Sequence, residues 1–311
     1  MKNSKTKKKV LVIAHDAGGA EIIGAYVQKH THQINFQSYV AGPAKDIFRR
    51  EKIPFSRIQN NRAAIACIVK KNTDIKYAIV GTMWHTHIEL IALQELKRAN
   101  LYTIAYLDSW VNYRERFDYP KRGWQKNLPD EIWVGDTEAQ KMATRLFPTS
   151  LPIKLVRNQY FTGIRKRYRA LRSNAKHNRI LFLSNSSDEP TLAFSWLLGA
   201  ISDIQNKPKI LVRFHPFDKR KWFSAFKENY GPQIEISKEQ DLMQDLAQAR
   251  IVVGIETTAL VVALLCNLPT ICIKSKKTKL ILPFQKIHTV VNVVELKKQL
   301  QHIFVYQKRY E

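Results

Sequence analysis

The chain is short of acids. Its 311 residues carry 26 Asp and Glu against 51 Lys and Arg, a formal net charge of +25. Part of that excess is an ordinary lysine-rich surface. The rest points to anions as partners: an acidic donor or acceptor, an anionic lipid headgroup, or nucleic acid. Cysteine is scarce as well. Cys67, Cys266 and Cys272 stand in apolar surroundings without metal-ligand spacing, which argues against a disulfide scaffold and fits buried thiols in a reducing compartment. Long apolar runs are missing. The basic stretch Met1 to Lys9 leads into an apolar run that covers only 10–14, too short for a signal h-region or a membrane span. A cytoplasmic protein is expected, with peripheral attachment to the inner face of the cytoplasmic membrane as the form of membrane contact that its charge allows. There is no Gly-x-Gly-x-x-Gly fingerprint and no convincing Asp-x-Asp loop. RNA-recognition and helix-turn-helix patterns are also lacking. No cofactor and no metal are therefore expected, and nucleic acid is not expected as a partner.

What is present is regular. Hydrophobic residues make up 45% of the chain, enough for two domains that each bury a core. Apolar strand runs are read at 10–14, 35–40, 77–81, 102–107, 131–135 and 154–156. Helical patterns intervene at 20–29, 44–52, 62–71, 87–99 and 137–146. Strand-helix alternation of this period implies a parallel, doubly wound α/β sheet. From 158 to 178 the strand periodicity is lost and Arg and Lys accumulate, so this stretch is read as the domain boundary. A second alternating series begins at 179–183. It continues through a strand before His215, a helix near 219–228, a strand at 233–237 and a helix at 240–249. Strands at 251–253, 270–273 and 289–293, a helix at 259–266 and a terminal helix from about 295 complete it. The expected organisation is an N-terminal domain at 1–160, a basic linker at 161–178 and a C-terminal domain at 179–311. The terminal helix is long enough to reach back and brace the first domain.

The chemistry-bearing residues lie just past strand ends. His15-Asp16-Ala17-Gly18-Gly19 follows the first strand, and its glycines let the backbone turn tightly and approach a ligand. Gly81-Thr82-Met83-Trp84-His85-Thr86-His87 follows another. His85 and His87 lack a third ligand of plausible spacing, so His85 is read as a substrate contact instead of a metal ligand. Asp108-Ser109-Trp110-Val111-Asn112-Tyr113-Arg114 interleaves rings with polar groups, the mixture that stacks on a sugar face and reads its hydroxyls. Gly135-Asp136-Thr137 is read as a helix cap. In the second half, Ser184-Asn185-Ser186-Ser187-Asp188 precedes Pro190, which fits both an N-cap and a phosphate cradle. Two further signatures are Arg213-Phe214-His215-Pro216 and Gly254-Ile255-Glu256-Thr257-Thr258-Ala259-Leu260. Strand, small polar loop and helix N-terminus together present backbone N–H groups and a positive dipole end to an anion.

The His-Pro after a strand, followed by the Gly-x-x-Thr-Thr-x-Leu loop, resembles the C-terminal half of GT-B glycosyltransferases. Within that superfamily the chain is most similar to sialyltransferase-like enzymes using CMP-activated acidic sugars and to capsule polymer transferases. The likeness covers roughly 179–300 well and the N-terminal half in outline. It implies two Rossmann-like domains facing a cleft and a metal-independent transfer that inverts configuration. It departs from many relatives in having Val261 and Val262 where a ribose-holding Glu often stands, which counts against a UDP-sugar donor. Asn267 replaces a common Gly and can still form the left-handed helix cap.

The resemblance implies a nucleotide-sugar donor, CMP-linked, and a glycan or lipid-linked acceptor. Nucleotide and phosphate contacts would come from Ser186, Ser187, His215, Pro216, Glu256, Thr257 and Thr258. Acceptor contacts would come from His15, Gly18, Gly19, His85, Trp110, Asn112 and Arg114. Asp16 is the first choice of general base and Asp108 the second, with His215 assisting the leaving phosphate. Two alternatives stand beside this reading. One is a nucleotide-sugar 2-epimerase on the same scaffold, against which the sparse acids of the C-terminal half argue. The other is a non-catalytic basic protein that binds anions or lipid.

Overall fold

The structure is a computed structural model. It describes all residues except 1–6, 84–86, 173–177, 186–189, 205, 217, 219–220, 225, 227–230, 275–285 and 307–311. The chain divides into two units, Met1–Thr162 and Gly163–Glu311.

In the first unit the apolar runs pair as seven parallel strands in the order β3-β2-β1-β4-β5-β6-β7. They are β1 (Lys8–Ala14), β2 (Ile34–Val40), β3 (Ser56–Arg57), β4 (Tyr77–Val80), β5 (Tyr102–Leu107), β6 (Glu131–Val134) and β7 (Ile153–Leu155). Five helices make crossovers: α1 (Ala17–His30), α2 (Ala44–Arg50), α3 (Arg62–Lys71), α4 (Ile88–Arg98) and α5 (Thr137–Leu146). Five consecutive buried residues end β1, the pattern of a strand covered on both faces. Val12, Ile23, Val40, Phe48 and Tyr106 form its core with their neighbours. Asp136 caps α5 by accepting from Ala139 N at 2.8 Å.

The second unit repeats the plan with six parallel strands ordered β10-β9-β8-β11-β12-β13. These are β8 (Arg179–Leu183), β9 (Lys209–Arg213), β10 (Ile234–Ile236), β11 (Ile251–Ile255), β12 (Thr270–Ile273) and β13 (His288–Val290). Its helices are α7 (Pro190–Ile201), α8 (Leu242–Gln248), α9 (Thr258–Leu265) and α10 (Val293–Gln301). Phe182, Phe194, Leu197, Val253, Leu296 and Leu300 belong to its core. The terminal helix α10 packs on α7, within its own unit.

Between β7 and β8 lies α6 (Gln159–Leu171). The stretch read as a linker is thus helical as far as Leu171, with Gly163 inside the helix. The reason is visible in its fixed side chains. Ile164 and Tyr168, one turn apart, are buried. Arg165 donates to the Leu265 carbonyl at 3.0 Å and to Asn267 Oδ1 at 3.3 Å, at the end of α9. Arg167 pairs with Asp241 at 2.8 Å. Two cations of the basic run therefore hold the second unit together. Asn267 has φ 60° and is the expected left-handed cap. Among the described residues no helix is long and apolar enough to cross a membrane.

In both units the chain runs outward from a central strand in one direction, then returns to build outward in the other. The reversal falls between β1 and β4 in the first unit and between β8 and β11 in the second. In open α/β sheets the crevice at the carboxyl ends of such a strand pair is where ligands bind.

Candidate functional site

At the reversal in the first unit, three carboxyl groups converge below the surface. Asp16 ends the β1 loop and caps α1, its Oδ2 accepting from Gly18 N at 3.1 Å. Asp108, just after β5, pairs with Arg116 at 2.6 Å, and both side chains are under a tenth exposed. Glu89, in the first turn of α4, is 1% exposed and accepts from His15 N at 2.9 Å. Arg116 also donates to the Thr82 carbonyl at 2.7 Å, to Thr82 Oγ1 at 2.9 Å and to Ser109 Oγ at 2.5 Å. One guanidinium thereby ties the ends of β4 and β5 together.

Burial and the neighbouring Asp108 push the Asp16 carboxyl up to about 6, although Arg116 and two backbone N–H groups pull the other way. Burial, then Asp16, push Glu89 up to about 8. Both carboxyls are therefore more basic than surface acids, Glu89 more so than Asp16. Two adjacent carboxyls separated in this way are the raw material of acid–base chemistry.

The glycines of this loop serve the carboxylates. A Cβ on Gly18 would overlap Asp108 Oδ2, and one on Gly81 would overlap Glu89 Oε1. Gly19 lies against the Gly81 backbone, where a Cβ would meet its Cα at 3.6 Å. The close approach read as room for a ligand at Gly18 is thus occupied by Asp108. His15 is buried with its ring against Gly42, where a Cβ would come within 2.5 Å of Nε2. Desolvation and Lys45 hold its imidazole below the ordinary value.

Trp110 differs from the expectation of an open sugar-stacking ring. It is 2% exposed, lies stacked on Phe161, and donates its indole N–H to Asp136 at 2.9 Å. A ring closed in on this scale is packing. Asn112 is half-buried with φ 53°, and its carbonyl accepts from Arg116 N at 3.3 Å. Arg114 is half-buried over the Tyr119 ring at 4.3 Å. His85 lies outside the described residues.

At the reversal in the second unit hydroxyls and a helix N-terminus stand beside one carboxylate. Thr257 caps α9, its hydroxyl accepting from Ala259 N at 3.5 Å, and Thr258 opens the helix. Glu256 pairs with the buried Lys274 at 3.5 Å. Across from them, His215 is half-buried and donates its backbone N–H to Ser184 Oγ at 2.9 Å, while Pro216 is exposed. Gly254 permits the contact of β11 with β8, since a Cβ would come within 2.8 Å of the Leu183 carbonyl. The Arg of the Arg-Phe-His-Pro signature is structural: Arg213 pairs with the buried Asp245 at 2.6 Å and donates to two backbone carbonyls. Ser186 and Ser187 lie outside the described residues.

The topology brings Asp16 and Asp108 together, whereas in the second unit His215 follows β9 and Glu256, Thr257 and Thr258 follow β11, with β8 between the two strands. Sequence reasoning missed Glu89 and Arg116. Arg116 had a usable signal, a second cation after Asp108 in the same loop, beside the aromatic Phe117. Glu89 had none, because an acid in a helix's first turn is ordinarily a solvated dipole partner. Among the described residues, no three His, Cys, Asp or Glu are grouped to hold a metal ion.

No family model matches the chain, and no curated protein matches it. Solved structures do. HepE of Anabaena, determined with UDP-glucose, matches with a TM-score of 0.68 at 13% identity, covering 96% of this chain and 91% of that one. A putative UDP-N-acetylglucosamine 2-epimerase of Listeria monocytogenes matches with a TM-score of 0.71 at 10% identity, covering 97% and 89%. A glycosyltransferase of Rickettsia africae matches with a TM-score of 0.61 at 12% identity, again covering 97% and 89%. At these identities the likeness concerns the fold, and it gives the chain a two-domain α/β fold of the GT-B type.

Proposed function

We propose that this protein transfers a sugar from a nucleotide-sugar donor to a hydroxyl acceptor, with Asp16 as general base. The observation that carries this reading is the Asp16 carboxylate, at the carboxyl end of β1 in the strand reversal and raised to about 6 by its surroundings. Such a group is ionised at neutral pH yet accepts a proton more readily than a surface aspartate. In the reaction, the acceptor oxygen attacks the anomeric carbon and its proton passes to Asp16. The bond to the phosphate oxygen breaks and the electron pair leaves with the nucleotide. Thr257, Thr258 and the α9 N-terminus suit that departing charge. The neighbours' printed ligands, UDP and UDP-glucose, support a nucleotide-sugar donor as a class. Val261 and Val262, in place of a ribose-holding acid, favour a CMP-linked acidic sugar within that class.

A second reading has an observation of its own. Asp16 ionised beside Glu89 protonated is also an arrangement that could remove a proton from a sugar carbon and return it, and epimerases are among the structural neighbours. The paucity of acids that spoke against it holds for the second unit, whereas the carboxyls gather in the first. Incubation with candidate nucleotide sugars in heavy water separates the readings. An isomerised, deuterium-labelled nucleotide sugar identifies the epimerase. Sugar moved to an acceptor or to water, without label at carbon, identifies the transferase. Neither product leaves a binding protein. For the transferase, Asp16→Asn should lower turnover about 10²–10⁴-fold with nucleotide affinity unchanged. Turnover that survives this substitution removes Asp16 from the role. Thermal shifts with CMP, CDP, UDP and GDP identify the nucleotide.

A further inference from the structure

Glu89 is the acid at this reversal that the transfer step does not use. Its carboxyl lies beneath the β1–α1 turn, with the backbone N–H groups of His15 and Asp16 directed at it. Gly81, at the end of β4, leaves the space that its Oε1 fills. Its Oε2 is buried without a hydrogen-bond partner. The charged groups facing it are Asp16 from the β1 loop and Asp108 from the end of β5, and Asp108 is itself neutralised by Arg116. Among the described residues no cation pairs with Glu89. A buried carboxylate without a cation, facing two other acids, is costly enough that such a group keeps its proton instead.

We propose that Glu89 is a protonated positioning residue: neutral at working pH, it holds the turn that carries Asp16 and leaves Asp16 as the unpaired base of the cluster. The role of Asp16 rests on the transferase reading, but the protonation of Glu89 does not. A second negative charge at Glu89 would load the turn that carries Asp16 with like charge and disturb its position. Activity should therefore have an acid limb at Asp16, near pH 6, and an alkaline limb at Glu89, near pH 8.

Glu89→Gln mimics the neutral acid and can still accept from His15 N. The first measurement needs no activity. Because the folded chain binds this proton more tightly than the unfolded chain, rising pH removes stability from wild type and not from the variant. The urea midpoint of Glu89→Gln should gain steadily on wild type from about pH 5 to about pH 8 and then level off. A constant difference across that range overturns the proposal. Infrared spectra of wild type provide a reading that does not depend on the variant folding. A protonated-carboxyl stretch should persist at pH 7 and disappear with a midpoint near 8, and its absence at pH 7 also overturns the proposal. The third measurement is the pH profile of nucleotide-sugar turnover, in which Glu89→Gln should keep the acid limb and lose the alkaline one. Retention of both limbs, with the stability and infrared results as expected, would overturn the action through Asp16 while leaving the proton on Glu89.

Discussion

The two units share one strand order, and their reversal points hold opposite chemistry. In the first unit the groups are side-chain carboxyls, buried and restrained by a guanidinium. In the second they are hydroxyls, backbone N–H groups and a helix N-terminus, half-exposed, with a single carboxylate, Glu256, paired to Lys274. Topology decides where a site stands, and the loop residues decide what it can do. The difference suits a reaction with two charge problems, since a hydroxyl must lose a proton and a phosphate must leave with negative charge. Each unit also pairs an Arg with a buried Asp side chain. Arg116–Asp108 stands among the reactive carboxyls, whereas Arg213–Asp245 braces the end of β9 against α8.

The largest expected effect tests that last contrast. Arg116→Met strands Asp108 beside Asp16 and Glu89 and should cost about 3–5 kcal/mol of stability at neutral pH. Arg213→Met should cost less, because Ser237 still donates to Asp245, at 2.7–2.8 Å, and because the Arg213 side chain is 23% exposed. Urea denaturation of both variants at pH 7 and pH 5 checks this. Acid should relieve Arg116→Met more, since protonation of the acidic cluster removes the stranded charge. Equal losses at both pH values would mean that the two pairs are equivalent.

Next in size is the effect of the α9 loop. Thr257→Val with Thr258→Val should weaken nucleotide binding by roughly 1.5–3 kcal/mol for each hydrogen bond lost to a charged group. Loss of the Thr257 cap should remove about 1 kcal/mol of stability besides. The acid limb of turnover, near pH 6, should be unmoved because it belongs to Asp16 in the other unit. A limb that shifts with the threonines would break the division of labour between the two reversals.

The fold was legible because its signals are local. Apolar runs such as Val10–Ala14 and Ile251–Val253, each closed by small polar residues, announce buried parallel strands without any knowledge of their partners. The Thr257 and Asp136 caps could be read in the same way. The carboxyl cluster was legible only in part. Asp16 and Asp108 stand in conspicuous loops, but Glu89 reaches them from a helix, and burial of an acid has no signature in a single sequence. Trp110 misled for the converse reason, since aromatic–polar interleaving looks alike on a sugar platform and in a packed loop. The helical form of α6 was not legible because its two inward arginines seek partners far along the chain, the α9 end and Asp241.

The smallest expected effect lies where the two units meet in sequence. Gly163 is inside α6, and a Cβ built there meets nothing within 4 Å. Alanine at such a helical position reduces the freedom of the unfolded chain without strain in the folded one, so Gly163→Ala should add about 0.5–1 kcal/mol. Gly18→Ala, in the first turn of α1, is the natural contrast. It should lose stability, because its new methyl falls on the Asp108 carboxylate and forces apart the pair with Arg116. One substitution made in two helices would thus have opposite signs, decided by what fills the space beside each glycine. Thermal melts of the two variants read this directly. A destabilised Gly163→Ala would show that residues 159–171 are not helical in solution and would restore the basic linker. A neutral Gly18→Ala would show that Asp108 can leave its place, and the carboxyl cluster of the first unit would then lack the rigidity on which the assignment of Asp16 depends.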